Sequence, residues 1–513
     1  MLRPVKTHTD RPGADPAHTS MPVDSARPLG GAQASFGRRL GGAGLSGLGA
    51  VAAALALGWA VLFIALGVWS RLQLFADGSM FPYAVAVQDA WAFHWHNVSV
   101  RSTVWLLFLA PAELFVRLTG DAGAGVALYG WLHFAAPLAS FALTWAADRS
   151  PGRALFVAAC GSTVCLLPLV FGFPTEMWAA HALFWPTYAL SRSARSGAAT
   201  GLALSAAFTL MVLTHEGALV LGAAIVALLA LEGVVLDDGR RARAGRGAAA
   251  YVSALAVWGA IKLALPPDAY FGGILRSAAL YFIDPLNLTK PAVLLGLCTL
   301  AVFGVAFFVA RRFVTANRAM IVGLVCAAVA VAAYWLLLDQ TVNASSRYPL
   351  RTVLLFGTPA FALLAFVGVT GLTIRLPAAM RGHAVHLGIG ALLVLTLVHA
   401  GETAKFVSLW NDYRGALGAL VMSDASDPDR GDPLFVSAPR LDARFEPVSW
   451  MSTTPYLSVL VAPGFLPKRL AIDAAEFSYY WLACETARAN HQAARAIPAE
   501  ARRMVMVYAC MHR

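Results

Sequence analysis

The sequence has few charged residues. Asp, Glu, Lys and Arg make up 13% of the 513 residues, about half of the roughly 25% that is typical of soluble domains, whereas 58% are hydrophobic. This balance excludes a string of soluble domains and predicts a polytopic membrane protein. The net charge of +11 does not point to nucleic acid, because the arginines lie in short clusters between apolar stretches, as in cytoplasmic loops.

Cysteine is also scarce, and the common nucleotide-binding motifs are absent. Six cysteines do not form a disulfide framework, and four of them lie in apolar stretches, where cysteine packs as a small hydrophobe. Cys484 and Cys510, in the polar C-terminal region, are candidates for one disulfide or remain two free thiols. The sequence has no P-loop and no Gly-rich dinucleotide fingerprint, so it does not indicate a soluble nucleotide-sugar donor.

Composition divides the chain into three parts. Residues 1–42 are rich in Pro, Gly, Ser and Arg and lack the apolar core of a cleavable signal peptide, which predicts a disordered cytoplasmic tail. Residues 43–401 contain the long apolar stretches and predict a transmembrane domain. Residues 402–513 carry more charges and alternate short apolar runs with polar turns, which predicts a small periplasmic α/β domain.

Eleven apolar stretches read as membrane spans, and one further stretch, 102–119, is ambiguous because it is short and contains Pro111, Glu113 and Arg117. If this stretch does not cross but forms a re-entrant or interfacial helix in the first outer loop, every cytoplasmic loop is net basic, as the positive-inside rule requires. We therefore predict an all-α polytopic membrane bundle of about 11 transmembrane helices, with a cytoplasmic N-terminus and a periplasmic C-terminus. The predicted spans are about 46–70, 124–147, 153–171, 176–191, 198–213, 217–236, 248–265, 291–310, 319–338, 350–374 and 384–400.

In this topology, ionisable residues from distant parts of the chain lie on the outer side. Ionisable groups buried near a membrane are costly and are functional candidates by default. A one-sided group drawn from several segments indicates a cavity at the outer surface, lined by carboxylates, histidines and an arginine. Its members are Asp77, Asp89, Glu176, His181, His215, Glu216 and Arg347.

The order of these elements resembles the GT-C superfamily of membrane glycosyltransferases. It is similar to the branch that contains protein O-mannosyltransferases and the lipid A aminoarabinose and galacturonic acid transferases. The first span ends in an acidic motif, here "FADGSMF", and a re-entrant apolar helix follows, here 102–119. A short acidic outer turn, "GFPTEMWAAHALFW", a broken helix pair at "THEGAL" and an Arg-Tyr in "SSRYPLR" complete the pattern. The resemblance covers about residues 46–400.

This resemblance implies an inverting transferase that moves a sugar from a polyprenyl-phosphate donor to a lipid, glycan or protein acceptor. Asp77 would be the general base for the acceptor hydroxyl, although Asp-Gly stands where relatives often have two acidic residues. Arg347, with Tyr348, would bind the donor phosphate, and Arg351 is the fallback ligand. The substrates would also contact Glu176, His215, Glu216 and Asp89. The many Ala, Gly, Arg and Val residues favour a bacterial inner membrane as the location.

Each assignment has a structural alternative. Asp77 also suits a cap for the following helix, Glu176 a first-turn carboxylate, and Arg347 an arginine that snorkels to lipid headgroups. The histidines at 94 and 96 lack a third ligand, and the need for a divalent metal stays open. For the whole protein, the alternatives to a transferase are a polytopic transporter or flippase and a non-catalytic scaffold for envelope assembly.

Overall fold

The computed structural model describes residues 46–88, 101–173, 175–193, 197–236, 240–264, 284–338, 347, 350–370, 382–423, 435–437, 441–450, 453–472 and 497–504. The side chain of Asp77 lies outside this part of the protein. So do residues 1–42 and the predicted site residues Asp89, Tyr348, Cys484 and Cys510.

Long apolar helices dominate the described residues, and ten of them are long and apolar enough to cross a membrane. This confirms a multi-pass, all-helical membrane bundle. The helices are α1 (Gly47–Trp69), α2 (Met80–Val87), α3 (Arg101–Thr119), α4 (Ala122–Ala147), α5 (Ala154–Val170), α6 (Glu176–Ser191), α7 (Ala198–Val212), α8 (Gly217–Leu236), α9 (Arg240–Ala264), α10 (Pro291–Ala310), α11 (Ala316–Ala333), α12 (Arg351–Thr370), α13 (Ala384–Met422) and α14 (Thr454–Val461).

Side chains cap the start of several helices, and large apolar side chains cover much of the outer face of the bundle. Ser46 accepts a hydrogen bond from the Gly49 amide at 3.1 Å at the start of α1, and Asp121 accepts one from the Ala124 amide at 2.9 Å at the start of α4. Large apolar side chains such as Val305 and Val329 point away from the bundle and are exposed. An outer face that is apolar in this way suits a lipid environment.

Helix α5 lies at the centre of the bundle. In its most apolar window 72% of the residues are buried, compared with 17–44% in the other candidate spans. It contacts α1, α12 and α13, and α1 also packs against α4, which in turn packs against α6. Helices α10, α11 and α13 pack together, and α8 and α9 form a second contact pair.

Helices α3, α6 and α7 lie close to their predicted limits, although α6 and α7 are short for a membrane crossing, and α13 is much longer than predicted. Helix α3 is among the ten candidates by length and composition and contains one π-helical turn, Trp105–Leu109, whereas α6 and α7 have only 16 and 15 residues. Helix α13 has 39 residues and is therefore about 58 Å long, well beyond the roughly 30 Å hydrocarbon core. It continues without interruption past residue 402, where composition predicts the start of a new domain.

After α13 the chain forms a two-stranded parallel sheet. Strands β1 (Phe435–Ser437) and β2 (Leu470–Ile472) pair with Phe435 opposite Leu470, and α14 lies between them in sequence. Helix α14 packs on α2, where the rings of Tyr83 and Tyr456 are 5.1 Å apart. The described C-terminal residues thus contact the segment that carries Asp77, while a complete C-terminal α/β domain remains a prediction.

Candidate functional site

An arginine that sequence reasoning did not select holds two of the predicted site carboxylates. Arg101, at the start of α3, donates from Nη1 to Glu176 Oε1 at 2.7 Å and from Nη2 to Glu216 Oε2 at 3.3 Å. The side chains are 14%, 7% and 17% exposed, respectively. Because the three residues come from three separate segments, this ion triad ties α3, α6 and the turn between α7 and α8 together.

The local structure at each of these segments explains how the triad forms. Glu176 is the first residue of α6, where Thr175 caps the helix by accepting from the Met177 amide at 3.3 Å. A carboxylate in the first turn is favoured by the helix dipole. The Thr103 amide donates to the Leu213 carbonyl at 3.2 Å, which fixes the start of α3 beside the turn that carries Glu216.

His215 completes the cluster as a neutral imidazole. Its Nδ1 accepts a hydrogen bond from the Gly217 amide at 3.0 Å and lies 3.7 Å from Glu216 Oε2. Burial lowers the pKa of His215 to about 4, with the charges of Arg101 and Arg351 acting in the same direction, against those of Glu216 and Glu176. At neutral pH the acceptor role of Nδ1 therefore places the proton on Nε2.

Glu216 is ionised in this environment. Burial alone would raise its pKa, but the Arg101 guanidinium, helped by His215 and Lys262, outweighs that effect and holds the pKa at about 2. The cluster therefore combines two carboxylates with one shared guanidinium and a neutral histidine, and the charge of Arg351 beside it also acts on it. Such an arrangement can orient hydroxyl groups and bind a phosphate, both of which need charged partners that are already in place.

The Asp77 backbone lies in a short 3₁₀ helix, Ala76–Ser79, whose first residue has an unusual backbone conformation. Ala76 is buried and has a φ of 54°, in the left-handed region that costs a non-glycine residue about 1–2 kcal/mol. Ser79 donates from Oγ to the Ala76 carbonyl at 3.2 Å and is itself the N-cap position of α2. The cap position is therefore two residues beyond Asp77. Strained backbone is often retained at functional sites.

Aromatic contacts connect the Asp77 segment to the charged cluster. The ring of Phe75 lies 6.2 Å from that of Phe173, three residues before Glu176. The guanidinium of Arg351, at the start of α12, lies 5.3 Å from the centre of the same Phe173 ring. The charge of Arg351 also acts on Glu176 and His215. Phe173 therefore contacts both the predicted base segment, through Phe75, and the cation Arg351.

Arg347 is placed differently from the other predicted site residues. It is buried and donates from Nη1 to the carbonyls of Pro168 at 3.0 Å and Phe171 at 2.7 Å, and from Nη2 to that of Glu402 at 3.4 Å. Its guanidinium also stacks 4.0 Å from the centre of the Phe406 ring. Burial lowers its pKa to about 10, so it is still charged at neutral pH. These contacts cap the C-terminal end of α5.

His181 and His133 occupy the interior of the bundle. His181 is 2.8 Å from Thr358 Oγ1 and 3.4 Å from Ser162 Oγ, which is the arrangement of a satisfied core histidine. His133 was not selected from the sequence. It is buried, stacks on Trp178 with ring centres 6.1 Å apart, and neither ring nitrogen has a hydrogen-bond partner among the described residues. The charge of Glu176 also reaches His133.

The structure brings together Glu176, His215 and Glu216 and adds Arg101 and Arg351 to them. In the sequence, Arg101 is a single cation directly before an apolar stretch. Only the fold shows that two carboxylates from distant parts of the chain bind it. Within the described ranges, no group of three or more His, Cys, Asp or Glu side chains could hold a metal ion. The chain matches no known family model and no curated protein.

Proposed function

We propose that this protein is a GT-C-type membrane glycosyltransferase that moves a sugar from a polyprenyl-phosphate donor to an envelope acceptor. The observation that carries the proposal is the buried charged cluster of Arg101, Glu176, His215 and Glu216, which Phe173 connects to the segment of Asp77. A transferase of this kind needs a base for the acceptor and cations for a departing phosphate close to each other.

In the proposed reaction, the acceptor oxygen attacks the anomeric carbon of the donor sugar and the Asp77 carboxylate takes the acceptor proton. The bond between the anomeric carbon and the phosphate oxygen breaks, and polyprenyl phosphate leaves with the electron pair. One displacement inverts the configuration of the sugar. No oxidant, reductant or further co-reactant is needed.

Arg351 is the better candidate for the phosphate ligand than Arg347. The Arg347 guanidinium already bonds three backbone carbonyls, so phosphate binding would require these bonds to be exchanged. Arg351 lies above Phe173 next to the cluster, and guanidinium binds phosphate by charge-assisted, often bidentate, hydrogen bonds. Glu176 and Glu216, held by Arg101, would orient hydroxyl groups, and we keep Tyr348 and Asp89 as further predicted contacts.

We place the reaction at the periplasmic face of a bacterial inner membrane, with the N-terminus in the cytoplasm and the C-terminal α/β domain outside. The proposed orientation rests on the basic loops that the positive-inside rule assigns to the cytoplasm, and the bacterial membrane on the many Ala, Gly, Arg and Val residues. It puts the cluster and the Asp77 segment on the outer side, where a lipid-linked donor would replace a soluble nucleotide sugar.

Mass spectrometry of envelope lipids and glycans tests the proposal in four strains: wild type, deletion, Asp77→Asn and the control Asp412→Asn. Asp412 is 53% exposed on α13 and belongs to none of the groups above. We expect the deletion and Asp77→Asn strains to lose the same sugar-sized mass, while Asp412→Asn keeps it and both variants remain in the membrane. A changed envelope in the deletion strain with a normal one in Asp77→Asn would contradict the proposal and favour the transporter or scaffold.

A further inference from the structure

A cleft of about 870 Å³ lies beside the Asp77 segment and belongs to none of the groups described above. One wall is the end of α1 and the residues after it, and a second is the end of α3 with the start of α4. The third is residues 460–465, which are the end of α14 and the residues after it. Its volume is within the range of about 300–1,000 Å³ that is typical of small-molecule sites. Leu74 lines it, three residues before Asp77.

The backbone around the cleft is strained. Nine described residues have a positive φ, and four of these line the cleft: Arg71 at 50°, Gly120 at 73°, Gly464 at 61° and Phe465 at 60°. Each such residue that is not glycine costs about 1–3 kcal/mol, and these conformations concentrate at ligand sites. The two residues that are not glycine, Arg71 and Phe465, lie on the α1 wall and on the C-terminal wall, so the strain is not confined to one loop.

The side chains that line the cleft are mixed in a way that suits a polyhydroxylated ligand. Arg71 and Asp121 are exposed and supply donors and acceptors, and buried Gln73 has an amide oxygen without a hydrogen-bond partner among the described residues. Gly123 and Gly464 also line the cleft and place no side chain in it. The partly exposed ring of Phe465 offers a flat apolar surface. A sugar ring presents hydroxyl groups at its rim and C–H groups on its faces, which match both kinds of surface.

We propose that this cleft binds the saccharide part of the acceptor. The inference rests on the proposed transferase function, since it names the class of molecule whose hydroxyl group Asp77 would deprotonate. The guanidinium of Arg71 contacts the sugar hydroxyl or carboxyl groups, and the partly exposed apolar side chains Val68 and Val461 face the part of the ligand that continues toward the membrane. Because the cleft has walls from α1, α4 and the C-terminal segment, the C-terminal segment is part of the acceptor site.

Photo-crosslinking in cell envelopes tests the proposal on the full-length protein. A benzophenone amino acid replaces Phe465, or in a second variant Val461, which lines the same cleft. The control replaces Trp69, which is 85% exposed at the end of α1 and does not line it. After irradiation, the purified protein is digested and its adducts are identified by mass spectrometry. We expect saccharide-containing adducts at 465 and 461 and none at 69.

The Arg71→Ala variant distinguishes specific binding of a saccharide in the cleft from a crosslink to a saccharide that is only nearby. Loss of a charged hydrogen bond should lower the yield of saccharide adduct at position 465 roughly tenfold. Adducts at 465 and 461 that contain only phospholipid or protein, or saccharide adducts that form equally at 69, would overturn the proposal. In an Asp77→Asn background the adduct should persist, because binding does not need the base. If the adduct persists while envelope glycans are unchanged in Asp77→Asn cells, the cleft binds saccharide and the transferase function is wrong.

Discussion

Removing Arg101 should strongly destabilise the protein, because it leaves two buried carboxylates without their shared partner. In Arg101→Met, Glu176 and Glu216 lose bonds of 2.7 and 3.3 Å at sites that are only 7% and 17% exposed. Breaking a buried ion pair costs about 3–5 kcal/mol. The charges of Arg351 and Lys262 still act on the two carboxylates. We therefore expect the lower end of that range, about 3 kcal/mol.

The measurement compares the free energy of unfolding of Arg101→Met with that of wild type, by SDS titration in mixed micelles. Arg444→Ala is the matched control, because Arg444 also lies between two carboxylates, Asp412 at 3.9 Å and Asp442 at 3.3 Å, but all three side chains are 53–60% exposed. Exposed pairs of this kind contribute less than about 1 kcal/mol.

Neutral replacements of the carboxylates should rescue the loss. Combining Arg101→Met with Glu176→Gln and Glu216→Gln removes the unpaired charges, so most of the lost stability should return. The reasoning would be refuted if Arg101→Met unfolded with a free energy within 1 kcal/mol of wild type. It would also be refuted if the triple variant were less stable than Arg101→Met.

Three further predictions follow from the packing. The pKa of His215 falls from its ordinary value of 6.5 to about 4 in the folded protein, so the unfolded chain binds a proton at this residue more readily. About 3 kcal/mol of stability, which is present above pH 6.5, should therefore be lost as the pH falls to 4. His215→Asn should flatten this part of the profile of unfolding free energy against pH. Arg347→Lys should lower the free energy of unfolding in SDS by at least about 2 kcal/mol, because an ammonium cannot bond three carbonyls and also stack on a ring. Unchanged stability, together with weaker binding of the polyprenyl-phosphate donor, would instead support a role of Arg347 in phosphate binding. Gly172→Ala should destabilise by about 1–3 kcal/mol, since φ is +89° and a Cβ would overlap the Phe406 ring, whereas Gly58→Ala, with open space around it, should be neutral or stabilising by thermal unfolding.

The apolar pattern predicted the helical bundle because a membrane span is encoded locally. About 20 consecutive apolar residues suffice to predict a helix, so α1, α8 and α10 lie close to their predicted limits. The pattern did not predict that α13 continues to Met422, because it reports where the chain leaves apolar surroundings and not where the backbone stops being helical. The paired strands β1 and β2 are three residues each, too short for an alternation signal.

The candidate site was predicted in part. Glu176, His215 and Glu216 were identifiable because charged or polar residues interrupt apolar stretches, where they are costly. Their common partner Arg101 was not, since the sequence does not state which of many flanking cations meets a carboxylate 75 residues away. The contact of Arg347 with the carbonyls of Pro168 and Phe171 likewise depends on a junction between segments about 180 residues apart, which no local pattern reports.

The most direct test of the central claim measures the leaving group. Purified protein in nanodiscs is incubated with lipids extracted from the deletion strain, and conversion of polyprenyl-phosphate sugar to polyprenyl phosphate is followed by mass spectrometry. We expect turnover by wild type and a rate at least about 100-fold lower for Asp77→Asn, as for loss of a general base, with Asp412→Asn unaffected. Wild-type protein that releases no polyprenyl phosphate, or Asp77→Asn protein that releases it at the wild-type rate, would contradict the account.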